Sequence, residues 1–178
     1  MNALNQTPKP KAGAPIKLNY QAKSPELAAL LVGHWFTDLP NFSAFLFHEI
    51  PDLNWAGFYF SDTTRLILGP FMGKPACTEI DFARGVCGAS FTRQEPLIVA
   101  DVHAYPGHIA CDANSNSEMV LPVIQHERCV GVLDLDSPSL LRFSEEDLCG
   151  VQSWLDLLVL KTDLRALVAT LEKQPPSR

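Results

Sequence analysis

The chain lacks the features that mark several classes of protein. No apolar run approaches the roughly 18 residues needed to cross a bilayer, and the first residues carry no apolar stretch of the kind a signal peptide requires. Cations are scarce, because 14 lysines and arginines face 20 acids in 178 residues. The net charge of −6 argues against a nucleic-acid-binding surface. We therefore expect a single-domain cytoplasmic protein with no membrane or nucleic-acid partner.

Cysteine occurs in an odd number, five, which argues against a closed framework of structural disulfides. In the cytosol such cysteines are more often free, catalytic or metal-bound. Cys77, Cys87 and Cys111 lie in one short window that lacks the tight Cys-x2-Cys pairs of common zinc sites. A zinc site made of these three and His108 is therefore the weaker interpretation, and redox chemistry is the stronger one.

Three acids follow the cysteine window, namely Glu118, Asp134 and Asp136. Thiols beside acids suggest redox chemistry, because one thiol can attack, a second can resolve, and a carboxyl can deliver a proton. The other two cysteines, Cys129 and Cys149, are interpreted as small core hydrophobes.

The chain divides into a tail over 1–23, a folded domain over 24–170 and a second tail over 171–178. Ser24 predicts the N-cap of a first helix whose apolar stripe extends to Trp35, and Pro40 separates it from a second helix over 42–50. Ser144, with an acid three residues later, predicts the weakened capping box of a long last helix.

Short β-rich runs fill the middle of the chain. They predict strands over 54–60, 65–71 and 97–100 and a hairpin of 118–126 with 128–136, whereas 78–84 predicts a short helix before a loop over 85–88. This order predicts an α+β fold, in which an antiparallel sheet carries helices on one face and a pocket enclosed by loops on the other.

Alternation along the last strand predicts which side chains face the pocket. Leu133 and Leu135 share one face, and if that face meets the helices both aspartates point into the pocket, the alternative being an exposed edge of the hairpin. In the first strand an indole beside a glycine predicts an apolar wall. The pocket-facing residues are Val130, Val132, Asp134 and Asp136 of the last strand, and Trp55, Gly57 and Tyr59 of the first.

Several phrases together resemble the free methionine-R-sulfoxide reductase family, whose members are single GAF domains. The resemblance covers about residues 27–160 and implies a GAF-like fold. It is carried by Asn-Trp-Ala-Gly-Phe-Tyr from Asn54, Leu-Gly-Pro-Phe from Leu68, Gly-Val-Cys-Gly from Gly85, Tyr-Pro-Gly-His-Ile-Ala-Cys-Asp from Tyr105 and Gly-Val-Leu-Asp-Leu-Asp from Gly131.

The resemblance implies a reaction in which Cys111 attacks the sulfoxide sulfur and becomes a sulfenic acid. Cys77 corresponds to the resolving cysteine, which forms a disulfide that a thioredoxin-type donor reduces. Cys87 corresponds to the third cysteine of the family, a second candidate for the resolving thiol. No bound cofactor is expected, and the family implies a homodimer.

The same resemblance implies how the substrate, free methionine sulfoxide, is bound. Asp136 protonates the sulfoxide oxygen, while Glu118 and Asp134 bind the ammonium group. Trp55 holds the methyl end, Tyr59 is a further substrate-binding residue, and N–H groups of the loop over 85–88 hold the carboxylate. The alternative is a non-catalytic GAF module that senses a small ligand, which would normally be attached to an output domain for which this chain has no room.

Overall fold

Six β-strands form one antiparallel sheet in the residues that the computed structural model describes, 18–107 and 114–173. The strands are β1 (Trp55–Ser61), β2 (Leu66–Gly73), β3 (Glu79–Ile80), β4 (Leu97–Val99), β5 (Ser117–Gln125) and β6 (Arg128–Ser137), in the order β3-β2-β1-β6-β5-β4. The helices are α1 (Tyr20–Leu30), α2 (Trp35–Glu49), α3 (Gly85–Arg93), α4 (Glu145–Lys161) and α5 (Arg165–Leu171). The predicted α+β class and antiparallel sheet are confirmed.

The two faces of the sheet carry separate apolar cores. On one face Phe58, Leu133 and Leu135 pack in a large core with helical residues such as Trp154, as the alternation of β6 predicted. The opposite face carries a smaller core that contains Val132 and residues of α3. Along the described part of the chain, no helix is long and apolar enough to cross a membrane.

The first helix begins earlier than predicted. Its N-cap is Asn19, whose side chain accepts from the backbone N–H of Ala22, so the predicted cap at Ser24 is wrong. Tyr20 is buried, and its hydroxyl donates to Asp147 of α4 at 2.7 Å. Residues 20–23 therefore belong to the folded domain rather than to the predicted tail, because α4 provides a buried partner that local sequence does not reveal.

The break between α1 and α2 also lies elsewhere. Pro40 is inside α2, and the chain turns instead at Gly33, whose φ is +90°. The buried carboxylate of Asp38 accepts from the backbone N–H groups of Val32 and Gly33 and from the hydroxyl of Thr162. The two backbone bonds fix the turn and the bond from Thr162 ties it to the end of α4, so the prediction of a break at Pro40 is wrong.

Residues 78–88 have the opposite secondary structure to the one predicted. Residues 78–84, predicted as a helix, hold the short strand β3, and the predicted loop over 85–88 is the first turn of α3. A Cβ at Gly88 would lie 2.7 Å from the carbonyl oxygens of Asp81 and Phe82. The helix thus needs a glycine for close packing, and tertiary burial overrides the weak helix propensity of Gly85 and Gly88.

The predicted hairpin of β5 and β6 is present, with a turn at His126 and Glu127 that has positive φ at both residues. A register shift beside Ile124 moves Val130 to the helix-side core, so its predicted pocket-facing position is wrong. A bulge breaks the period-two alternation on which that prediction rested.

The capping box at the start of α4 is confirmed, since Ser144 and Asp147 exchange side-chain to backbone hydrogen bonds. The helix ends at Lys161, and α5 follows as a separate element. Cys129 is buried as expected, whereas Cys149 is exposed, which corrects its interpretation as a core residue.

Candidate active site

A thiol and two carboxyl groups meet on the sheet face opposite the large core. The metal-ligating side-chain atoms of Cys87, Glu118 and Asp134 all lie within 4.8 Å of one another, and Cys87 Sγ is 3.9 Å from Glu118 Oε1. All three residues are nearly closed off from solvent, with exposures of 4%, 5% and 7%. We call these three residues the thiol–acid cluster.

Strand register brings the acids together. Asp136 of β6 pairs with Trp55 of β1 on one side and with Glu118 of β5 on the other. Asp134 lies two residues along β6, so it shares their face of the sheet. Cys87 arrives from α3, which packs on β5 and β6. Elements that are far apart in the sequence therefore build the cluster.

Burial changes the protonation of the cluster. Burial is the main reason that the pKa of Glu118 lies well above its usual range, and the nearby charges of Asp134 and Asp136 raise this pKa further. Burial likewise raises the pKa of Asp134 to about 7, against the opposing effect of hydrogen bonds with Cys87 and Glu118. Desolvation and the same acids raise the pKa of the Cys87 thiol. The cluster therefore retains protons near neutral pH.

One cluster atom lacks a hydrogen bond. Asp134 Oδ1 is buried without a hydrogen-bond partner among the residues described by the structure. An unpaired buried oxygen of this kind costs free energy unless a ligand or water satisfies it. Asp134 and the half-buried Asp136 also line a small cavity.

Aromatic rings form the wall beside the acids. Trp55 stacks between Tyr59 and Phe71, at ring-centre distances of 5.8 and 5.3 Å. A Cβ at Gly57 would come 2.8 Å from the indole and 2.3 Å from the Cβ of Phe71. The absence of a side chain at Gly57 therefore lets the indole lie across β1, as the sequence predicted.

The segment between β2 and β3 closes the cavity. Lys74, Pro75 and Ala76 line it together with Trp55, Tyr59, Asp134 and Asp136, and it holds only about 10 Å³, enough for about one water molecule. The indole Nε1 donates to the Lys74 carbonyl at 3.2 Å, and the Tyr59 hydroxyl donates to the Cys77 carbonyl at 3.1 Å. Sequence reasoning missed this segment, although it directly precedes Cys77.

The predicted cysteines are in different states. Cys77 is disulfide-bonded, whereas Cys87, Cys129 and Cys149 are free thiols. Cys111 and His108 lie outside the described residues. A disulfide-bonded sulfur is not available as a thiolate ligand, which weighs against the alternative zinc site of Cys77, Cys87, His108 and Cys111.

The predicted carboxylate-binding loop is the start of α3 rather than a loop. The N–H of Gly88 already donates to the Arg84 carbonyl at 3.2 Å, so it is committed to the helix. The helix has no side-chain cap at Arg84.

Comparison with known proteins gives a consistent result. Residues 34–159 match the GAF domain family, which confirms the expected GAF-like fold. A free methionine-R-sulfoxide reductase of Escherichia coli is 46% identical over 147 residues, which cover 82% of this chain and 81% of the relative.

Solved structures give similar matches. The reduced form of a Staphylococcus aureus protein titled fRMsr is 39% identical with a TM-score of 0.78, over 82% of this chain and 96% of that one. A Neisseria meningitidis free methionine-R-sulfoxide reductase in complex with its substrate is 36% identical with a TM-score of 0.78, and the match covers 86% of this chain and 94% of that one.

The raised pKa of Asp134 predicts a stability that depends on pH. An unfolded aspartate ionises near 3.9, whereas in the folded protein this pKa is about 7. At a pH between these two pKa values, Asp134 is protonated in the folded state and ionised in the unfolded state. Its contribution to the free energy of unfolding therefore falls as pH rises from about 4 to about 7. Asp134→Asn, which cannot ionise, should be more stable than the wild type at pH 8 by on the order of 1–4 kcal/mol.

Denaturant unfolding at pH 5 and pH 8 measures this effect, and the advantage of Asp134→Asn should shrink at the lower pH. The matched control is Asp156→Asn, which changes an exposed aspartate of α4. An equal pH dependence in the wild type and Asp134→Asn would contradict the assignment.

Proposed function

We propose that this chain, which belongs to the free methionine-R-sulfoxide reductase family of GAF-domain proteins, reduces free methionine-R-sulfoxide to methionine. The observation that carries the proposal is the buried thiol–acid cluster beside the stacked indole of Trp55. A cation site next to an apolar wall suits an amino acid with an ammonium group at one end and a methyl group at the other.

Glu118 and Asp134 bind the substrate ammonium in this proposal. Their carboxyl groups are buried and partly protonated before binding, because burial raises the pKa of each. An ammonium group would stabilise the ionised acids and release a proton within the site. A peptide-bound methionine sulfoxide has no such ammonium, so the site selects the free amino acid.

Asp136 protonates the sulfoxide oxygen. It is half-buried at the cavity and pairs across the sheet with Trp55, so an acid stands next to the ring that would hold the methyl group. Tyr59 extends the same wall. The released cluster proton can replenish Asp136, which couples recognition of the ammonium to the chemical step.

The chemistry consumes two thiols for each sulfoxide. The Cys111 thiolate attacks the sulfoxide sulfur, the oxygen is protonated and transferred, and methionine leaves with Cys111 as a sulfenic acid. The Cys77 thiol then attacks that sulfenic sulfur, forms the disulfide and releases the oxygen as water. A thioredoxin-type dithiol reduces the disulfide by exchange, and no bound cofactor is needed.

Cys77 is favoured as the resolving cysteine. Its sulfur is disulfide-bonded, whereas Cys87, Cys129 and Cys149 are free thiols, so among the described cysteines Cys77 is the one that forms a disulfide. Cys87 is less suited to resolve, since burial and neighbouring acids raise the pKa of its thiol.

The described cavity beside Asp134 and Asp136 holds about 10 Å³, less than an amino acid needs, so in this proposal the segment over 74–76 moves when the substrate enters. The indole of Trp55 donates to the Lys74 carbonyl, and the hydroxyl of Tyr59 donates to the carbonyl of the adjoining Cys77, and both bonds favour the closed arrangement. The cytoplasmic setting and the homodimer stay predictions.

Purified protein with a thioredoxin system should reduce free methionine-R-sulfoxide, and the S epimer should react far more slowly. An N-acetylated, C-amidated analogue loses both substrate charges and leaves buried acids unpaired, at about 1–3 kcal/mol for each unmatched group. Its kcat/KM should be at least about a hundredfold lower. Binding of the free amino acid without turnover would instead support the non-catalytic sensor.

Cysteine variants separate attack from recycling. Cys111→Ser should release no methionine even in a single turnover, because the attacking thiol is gone. Cys77→Ser should complete one turnover and then stall, since the sulfenic acid is no longer resolved within the chain. Cys149→Ser is the matched control, because this exposed thiol on α4 lies outside the site. Single-turnover release at wild-type yield from Cys111→Ser would reject Cys111 as the nucleophile.

Amide variants test the division of roles between the acids. In Asp136→Asn the side-chain amide can donate a hydrogen bond to the sulfoxide oxygen but cannot transfer a proton to it, so kcat should fall by about 10²- to 10⁴-fold. Glu118→Gln removes a charge opposite the ammonium and should act mainly by raising KM. Steady-state kinetics on both variants check this, and a raised KM with unchanged kcat in Asp136→Asn would reverse the assignment.

A further inference from the structure

The thiol–acid cluster has the donor atoms of a metal site. One sulfur and two carboxyl groups present their ligand atoms within 4.8 Å of one another, which a single ion can span with small side-chain adjustments. A thiolate favours a borderline or soft cation such as Zn²⁺ or Cd²⁺ over Mg²⁺ or Ca²⁺. The donor chemistry thus points to a thiophilic divalent ion.

A second observation points into the same place. Asp134 is only 7% exposed, and its Oδ1 has no hydrogen-bond partner among the described residues. The same residue also lines the neighbouring cavity of about 10 Å³, which has room for one water molecule. A bound cation would satisfy the oxygen and compensate the acids.

We propose that Cys87, Glu118 and Asp134 bind Zn²⁺ or Cd²⁺, and that the bound ion inhibits the reductase by occupying the ammonium site. The inhibitory part rests on the proposed function, whereas the binding part does not. The Cys87 thiol and the protonated carboxyl groups of Glu118 and Asp134 give their protons to solvent when they join the ion, and no electron is transferred. Metal and substrate are then mutually exclusive, because both use Glu118 and Asp134.

This site differs from the zinc site considered from the sequence. It uses neither Cys77, which is disulfide-bonded, nor residues 108–113. It can therefore form in the oxidised protein, where the free thiols among the described residues are Cys87, Cys129 and Cys149. The metal titration therefore uses oxidised protein, in which the proposed active thiols Cys77 and Cys111 do not compete for the metal.

Cadmium titration of oxidised, metal-free protein tests the binding. The ultraviolet thiolate-to-cadmium charge-transfer band should saturate at one ion per chain. Cys87→Ala should lose the band, and Asp134→Asn should weaken binding at least tenfold while keeping the band at saturation. Cys149→Ser is the matched control and should bind as the wild type does. Thermal unfolding of each variant verifies that it is folded, and Asp134→Asn carries the test if Cys87→Ala does not fold.

A saturating band of equal size in Cys87→Ala and the wild type, or no band in the wild type, would overturn the binding proposal. Inhibition is measured separately by adding Zn²⁺ to the reduced Cys149→Ser enzyme in the first turnover, without a dithiol that would chelate the ion. Free methionine should protect against inhibition and weaken the cadmium band. Binding without inhibition would overturn the inhibitory part alone, and absence of any reductase activity would count against the proposed function without affecting the cadmium result.

Discussion

The register of β1, β6 and β5 is the constraint on which the site depends. It places Trp55, Asp136 and Glu118 in one row across three strands. Side chains alternate faces along a strand, so a slip of one residue in β6 would turn Asp136 and its neighbour Asp134 toward the helices. The hairpin turn at 126–127 and the leucines of β6 together hold this register, because slippage would also expose Leu133 and Leu135.

The row has an electrostatic cost that the rest of the fold must offset. Two acids directly opposite each other on neighbouring strands repel, and burial of Glu118 and Asp134 adds a desolvation penalty. The large core on the other face supplies the compensating apolar burial. The acids then reduce their mutual repulsion by retaining protons. A cation that enters the site would relieve this repulsion, and that relief would contribute to the free energy of binding.

Local sequence patterns predicted those parts of the structure that depend on near neighbours. The capping box at Ser144 and the hairpin of β5 with β6 were recognisable because their partners lie a few residues away. The start of α1 was not, because Tyr20 is ordered by Asp147, 127 residues later. The same holds for α3, whose glycine-rich first turn is helical through packing against β5 and β6. For the site, alternation correctly grouped the two aspartates, whereas the bulge that moves Val130 left no clear sequence signal.

The position of Cys87 gives the cluster a property that two carboxylates alone would lack. An ammonium group needs only oxygen acceptors, so Glu118 and Asp134 suffice for it, and a thiol adds little. A thiophilic metal ion gains most from the sulfur. Because α3 brings that sulfur to 3.9 Å from Glu118, the same acids can serve an ammonium or a metal ion. Under the two proposals above, the side chain at 87 sets the balance between the two cations, and the register of the sheet brings together the acids that both cations would use.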